Sequence, residues 1–221
     1  MLRRFVRPIC PLICLLAASC LFLLAALPSA AQRAKPKTPS RNFSFDARMS
    51  EINVILTQEG LMSRRYPTHR VLAKSFTGKI ELPNDEPKMS ITLEAEAKML
   101  TNVDATMSEF ERKEFHSALR SQVLESEKFP VIKFASVSIS GLQKDGDKRS
   151  FTLNGDLTLH GVTKRMAFPV SAMITEKELH ATGEAKLKQS DFGLKPFEKG
   201  LGLIKIGDEV KVSFSVVAKI Q

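Results

Sequence analysis

From Asn42 onward, apolar and polar residues alternate along most of the chain with a period of two, the pattern of strands with one dry face and one wet face. Met89, Ile91, Leu93, Ala95 and Ala97 alternate with Lys88, Ser90, Thr92, Glu94, Glu96 and Lys98. The same register recurs at Phe151, Leu153, Leu157 and Leu159, then at Met166, Phe168, Val170 and Ala172. It returns at Leu179, Ala181, Ala185 and Leu187, and again at Val210, Val212, Phe214 and Val216. Segments 43–47, 51–58, 74–82 and 132–140 are also strand-like and are bounded by Gly, Pro or polar clusters. Short turns at Gly146, Gly161-Val162-Thr163 and Glu176-Lys177-Glu178 predict an antiparallel meander of eight or nine strands. A sheet of that size in one domain curls into a barrel or splits into a sandwich, because closure removes unpaired edges.

One stretch breaks the alternation. Residues 107–126 contain no Gly or Pro, and Phe115, Ala118, Leu119 and Val123 share one helical face. Ser108 with Glu111 has the spacing of a capping box, so this stretch predicts the single substantial helix. Pro130 then restarts extended chain.

Strand parity alone selects the residues that face inward: Ile52, Val54 and Leu56; Phe76 and Ile80; Ile91, Leu93 and Ala95; and Phe134. Further along they are Leu153 and Leu157, Phe168 and Val170, Leu187, and Val212 with Phe214. Several inward positions are small, notably Ala95, Ala97, Ala172, Ala181 and Ala185, and the chain has no Trp. An eight-stranded barrel of this composition is either underfilled, and then a ligand cavity, or filled by the helix and the Phe rings.

Composition changes the picture mainly at the N-terminus. Arg3, Arg4 and Arg7 precede an almost wholly apolar run over residues 9–27, and Ser29-Ala30-Ala31 supplies the small residues a signal peptidase reads. Cleavage after Ala31 is expected, leaving a mature N-terminus at Gln32 and an exported protein, periplasmic or secreted. The alternative is an uncleaved anchor, for which the apolar run is long enough. Cys10, Cys14 and Cys20 all lie inside residues 1–31, so a mature chain has no thiol, no disulfide and no thiolate metal site. The formal charge of +9 resides mostly in this segment and in Gln32–Arg41, QRAKPKTPSR, which reads as a solvated basic tether. Beyond it the charges nearly balance, which removes the main support for nucleic-acid binding. Contact of the tether with an anionic membrane surface remains open.

Candidate chemistry is sparse. His69, His116, His160 and His180 fall in no metal-ligand spacing, so neither a metal nor a cofactor is expected. His160 follows Asp156 by four residues, but in a strand that places them about 13 Å apart, and Gly161 marks a hairpin instead. His69 stands in the basic stretch Arg64-Arg65-Tyr66-Pro67-Thr68-His69-Arg70, read as a loop. Tyr66, His69 and Arg70 are candidates there to meet a ligand head group, against the plainer reading of a solvated loop. His116 and His180 are adequately explained as exposed polar positions. No catalytic residue is assigned: no G-x-S-x-G, no nucleotide loop and no thiol is present beyond residue 31.

Two stretches carry more than a pattern. Phe129-Pro130-Val131-Ile132-Lys133-Phe134-Ala135-Ser136 and Gly155-Asp156-Leu157-Thr158-Leu159-His160-Gly161-Val162-Thr163-Lys164 resemble the central signature of the YceI-like family. Asp191-Phe192-Gly193-Leu194 and Gly207-Asp208-Glu209-Val210-Lys211-Val212 are similar to its closing segments. Where many members read R-D-x-H-L, this chain has Phe115-His116-Ser117-Ala118-Leu119. The resemblance covers residues 42–221 and implies a lipocalin-like, eight-stranded antiparallel barrel with one substantial helix, usually exported, that holds a long polyisoprenoid or similar apolar chain. The leading expectation is therefore a non-enzymatic carrier for such a lipid, for example a polyisoprenoid or isoprenoid quinone. The rivals are a filled barrel that binds a protein partner through its loops, and an enzyme acting on a lipid in the cavity.

Overall fold

The computed structural model describes residues 40–61, 63 and 68–221. The expected signal segment 1–31, most of the tether and Tyr66 lie outside the described residues. The alternation produces twelve strand segments, beginning with β1 (Ser40–Phe45), β2 (Glu51–Glu59), β3 (His69–Ala73), β4 (Phe76–Pro83), β5 (Ser90–Glu96) and β6 (Leu100–Asn102). They continue with β7 (Val131–Asp145), β8 (Lys148–Leu159), β9 (Val162–Ile174), β10 (Glu178–Lys188), β11 (Glu198–Lys199) and β12 (Ile204–Ile220). Neighbours run β1-β4-β5-β7-β8-β9-β10-β12, all antiparallel, and β12 pairs back onto β1, so the sheet closes into a barrel.

Three of the eight barrel positions are strands broken into two segments. β2 carries on from β1 along the same edge of β12, β3 pairs with β2 as β4 pairs with β1, and β6 pairs with β3 as β5 pairs with β4. Two of the breaks have a local cause. Between β1 and β2, the Ser50 hydroxyl donates to the Asp46 carbonyl at 2.7 Å and accepts from the Val217 amide at 2.9 Å, fixing the bend onto β12. Between β5 and β6 a single 3-10 turn, Ala97–Met99, shifts the register, and the Ala97 amide finds the Pro130 carbonyl at 2.9 Å. The segment read as one strand over 74–82 is β4 alone; β3 precedes it and was not read as a strand, because its inward row begins with a polar residue, His69.

The His160-Gly161 link between β8 and β9 is a two-residue hairpin with φ of 51° and 75°, both left-handed as a type I′ turn requires. The expected helix is α1 (Glu109–Ala118), continued by a wider π turn over Leu119–Val123. It is shorter than 107–126 because its capping box sets the start. Ser108 Oγ accepts from the Glu111 amide, and the Glu111 carboxylate accepts from the Ser108 amide at 2.9 Å. Arg112 ties that first turn to the preceding loop by donating to the carbonyls of Asp104 and Met107.

Outside the barrel, charged residues pair across neighbouring strands: Lys133 with Glu94, Arg165 with Asp156, Lys186 with Glu209 and Lys211 with Glu184. Apolar residues face in and charges face out, the reverse of a lipid-facing barrel. The end of the barrel away from α1 is closed by a buried cluster that includes Phe43, Leu82, Met89, Ile174 and Leu179. Among the described residues no helix is long and apolar enough to cross a membrane.

Candidate functional site

The inward faces of the strands do not meet in the middle. They surround a cavity of about 1040 Å³ that runs from the closed end to α1. All of the parity-selected residues except Phe76 stand on its wall. Phe76 is buried, yet its ring packs edge-on against Phe45 at 6.1 Å within the wall itself. Many inward side chains, including Ile52, Val54, Ile91, Leu93, Phe134, Val212 and Phe214, are only half-buried, because they face open space rather than a partner side chain. The helix therefore does not fill the interior. Phe115, Ala118, Leu119 and Val123 form part of the lining at its open end.

Three Phe rings make the broadest apolar surface inside. Phe168 stands edge-on to Phe134 at 5.6 Å and meets Phe214 at 6.1 Å. Two glycines let the outer rings lie flat on the wall. A Cβ on Gly155 would come within 2.2 Å of the Phe134 ring, and one on Gly183 within 2.6 Å of both the Phe214 ring and the Pro169 carbonyl oxygen. The glycines thus keep the rings against the wall and the space between them open.

The open end is polar. His69 is buried at the start of β3, facing in with Val71 and Ala73, and its ring packs on Phe115 at 5.4 Å. His69 Nδ1 lies 2.8 Å from Asp104 Oδ2, and His69 Nε2 lies 3.3 Å from Gln58 Nε2. The Asp104 carboxylate also accepts from Asn102 Nδ2 and from the Arg70 amide. Burial alone would raise its pKa, but these donors and His69 together hold it below the ordinary aspartate value. Asn102, wholly buried, sends its own amide to His116 Nε2 at 2.9 Å, which ties α1 to β6. His116 is therefore a hydrogen-bond acceptor rather than an exposed polar residue, and burial lowers its pKa. Glu111, Glu114, Gln122, Gln189, Glu198 and Lys199 complete the rim.

Two sequence expectations are corrected here. His69 belongs to a strand, not a loop, and Arg70 alternates outward and is exposed, so of the head-group candidates it faces away from the cavity. Asp104, Gln58 and Asn102 were missed: Asp104 lies 35 residues from His69, and no local pattern joins them. The available signal was parity, since His69 shares the inward row of Val71 and Ala73. His160 sits at the hairpin against Phe129, with ring centroids 4.2 Å apart, and His180 is exposed beside Glu178. Asp191-Phe192-Gly193 and Gly207-Asp208 support each other: Asp208 accepts from the Ser190 amide and hydroxyl while Phe192 is buried. Among the described residues no three His, Cys, Asp or Glu side chains gather as metal ligands.

Residues 43–218 match the family model of the YceI-like domain. Among solved structures, the chain is similar to BcnA of Burkholderia cenocepacia, with a TM-score of 0.60 and 17% identity over 78% of this chain and 98% of that one. It is similar to a polyisoprenoid binding domain from Saccharophagus degradans, implicated in plant cell wall breakdown, with a TM-score of 0.60 and 14% identity over 81% and 98%. It is also similar to the YCEI protein of Campylobacter jejuni, with a TM-score of 0.51 and 14% identity over 68% and 84%. A search of curated proteins finds no match. At these identities the structural likeness speaks to the fold.

Proposed function

The chain belongs to the YceI-like family, and from that premise we propose that it is an exported, non-enzymatic carrier for a long-chain amphiphilic lipid such as a polyisoprenoid or isoprenoid quinone. The observation that carries this reading is the cavity of about 1040 Å³, lined by apolar side chains along its length and polar only at its open end. It reaches the upper end of the roughly 300 to 1,000 Å³ typical of small-molecule sites. A dry void of that size, at about 24 cal/mol per Å³, would cost roughly 25 kcal/mol. That exceeds the roughly 5 to 15 kcal/mol by which a domain is stable. The space is therefore occupied, by water or by a guest.

A guest with an apolar tail is the better occupant. Each methylene moved from water to the wall contributes about 0.8 kcal/mol, so a tail of about ten carbons supplies roughly 8 kcal/mol gross. That is the scale of micromolar affinity before the cost of ordering the tail. The tail enters past α1 and the head stays at the polar rim. The printed description of the Saccharophagus degradans domain as polyisoprenoid binding supports this class of ligand. The basic start, apolar run and Ser29-Ala30-Ala31 support export, with contact of the 32–41 tether with a membrane surface as an accessory.

Mass spectrometry of a solvent extract of the purified protein tests the reading. The expected result is one abundant long-chain amphiphile near one per chain. An extract without lipid, from a protein that also fails to take up added polyprenol, would overturn it. N-terminal sequencing should read from Gln32, and Met1 retained in a membrane fraction would refute export.

A further inference from the structure

Among the described residues, the three large apolar side chains most open to solvent all stand at the open end of the barrel. Leu201 is 104% exposed, Leu61 85% and Phe110 70%, with Leu203 nearby at 47%. None of the four lines the cavity or belongs to the buried clusters, so neither the fold nor the pocket uses them.

Leu61 and Leu201 sit on two tight turns. The Ser63 amide donates to the Gly60 carbonyl at 3.1 Å, and the Leu203 amide donates to the Gly200 carbonyl at 3.2 Å. A Cβ on Gly60 would come within 2.7 Å of the Gly202 carbonyl oxygen, so the two turns lie against each other and their leucines share one edge of the mouth. Leu201 has φ of 54°, between Gly200 at 67° and Gly202 at 84°. A leucine is strained there, where glycine or asparagine is the ordinary choice, and in water its exposed side chain gains no packing in return. Phe110 stands one turn before Glu114 on α1, and the Glu114 carboxylate lies 3.8 Å from Lys199 of β11. The inner lip of the mouth is polar, and the tips outside it are apolar.

These tips suit a fluid apolar partner. They surround an opening, whereas a protein interface of standard size needs about 800 Å² of closely packed surface from each side. A bilayer closes around separate side chains, and an apolar fringe seats roughly 5 to 10 Å deep at the boundary of head groups and acyl chains. Lys199 and Lys205, exposed on the β11–β12 hairpin that carries Leu201, lay their stems along that boundary and leave their ammonium groups among the head groups. Docking also joins the cavity to the lipid phase, so that an apolar tail passing into the barrel crosses no water.

We propose that the barrel docks mouth-down on a lipid bilayer, with Leu61, Leu201, Leu203 and Phe110 inserted around the opening. This surface is distinct from the tether: Ser40, where β1 begins, lies at the closed end, and the adjoining Arg41 donates to the Thr175 carbonyl at 2.9 Å. The inference rests on the carrier reading and adds to it the surface across which cargo is exchanged.

Flotation with phosphatidylcholine vesicles tests it, because their zero net charge gives the basic tether no counter-charge. The exported chain should float with the vesicles, and should still do so in about 0.5 M salt, which screens charge but not apolar insertion. Leu61→Ser combined with Leu201→Asn should weaken vesicle binding about 100-fold, roughly tenfold for each leucine withdrawn from hydrocarbon. In that variant the melting temperature should not fall and uptake of geranylgeraniol from detergent solution should be unchanged, while uptake from vesicles should slow. A chain that does not float, one that salt releases, or a variant that floats as well as the original overturns the docking surface and leaves the carrier reading standing. A dimer in solution that the two substitutions dissolve, without vesicle binding, overturns it too and assigns the patch to a second copy. Failure to take up geranylgeraniol from detergent overturns the carrier reading separately.

Discussion

Ala95 faces the cavity from β5, between Phe76 on one neighbouring strand and Ile132 on the other. A larger side chain there grows into open space instead of into a packed neighbour. Ala95→Phe should leave the melting temperature nearly unchanged while reducing the lipid recovered in a solvent extract. A filled interior would instead lose roughly 1 to 3 kcal/mol from the same change. His116 predicts a pH response. Its pKa is lowered by burial first and then by the charges of Arg120, Arg112 and Lys74, so the folded state binds fewer protons than the unfolded one. Stability from this residue is fully present above the ordinary histidine value of about 6.5 and is lost as pH falls through the lower folded value. Asp104 and Glu86, also lowered, add a second loss in the carboxylate range. Urea unfolding followed across pH should show both limbs, and His116→Gln, which keeps an acceptor for the Asn102 amide, should flatten only the first. A first limb that survives in that variant would assign it elsewhere.

At the scale of elements, α1 differs from the strands. None of its residues is fully buried: Phe115 packs only partly against the core, and the capping box, Arg112 and His116 supply the rest of what holds it. Such an element opens locally at lower free energy than the barrel. Its amides should exchange with deuterium sooner than those of β8 and β9. Ser108→Ala removes the cap acceptor and should cost about 1 kcal/mol. Faster release of bound lipid is the expected readout, since the element that loosens forms the cavity's open end. The elements also show what the sequence reveals. Parity is a local property, so Ile91, Leu93, Ala95, Leu153 and Val212 were assigned to the inner face from neighbours two residues away. Ser108 and Glu111 announced α1 in the same local way. β3 and β6 were not legible, because each is short and buries a polar residue: His69, which meets Gln58 and Asp104 from 11 and 35 residues away, or Asn102, whose backbone amide meets His116 of α1. The head of the site depends on such pairings, whereas the apolar tube depends only on period.

Taken as a whole, the molecule is a ring whose integrity depends on one strand. β12 pairs with β10 along one side and with both β2 and β1 along the other. Removing residues 217–221 would delete the pairing to β1 and the buried Val217 and Ala218. The shortened chain should melt at clearly lower temperature and with a broader transition than the full chain. An unchanged sharp transition would show that the β2 contact alone seals the barrel. The same arrangement sets an order of assembly. Hairpins β7-β8, β8-β9 and β9-β10 join neighbours in sequence and form at small entropic cost, whereas Phe43 meets Ile220 only after nearly the whole domain has been gathered. Until β12 docks, the chain is an open sheet with unpaired edges at β10 and at β2, the geometry most prone to join another chain. A nick or premature stop ahead of Ile204 therefore yields a sticky half-product rather than a weaker carrier, and the risk of aggregation is concentrated in the interval before the final strand arrives.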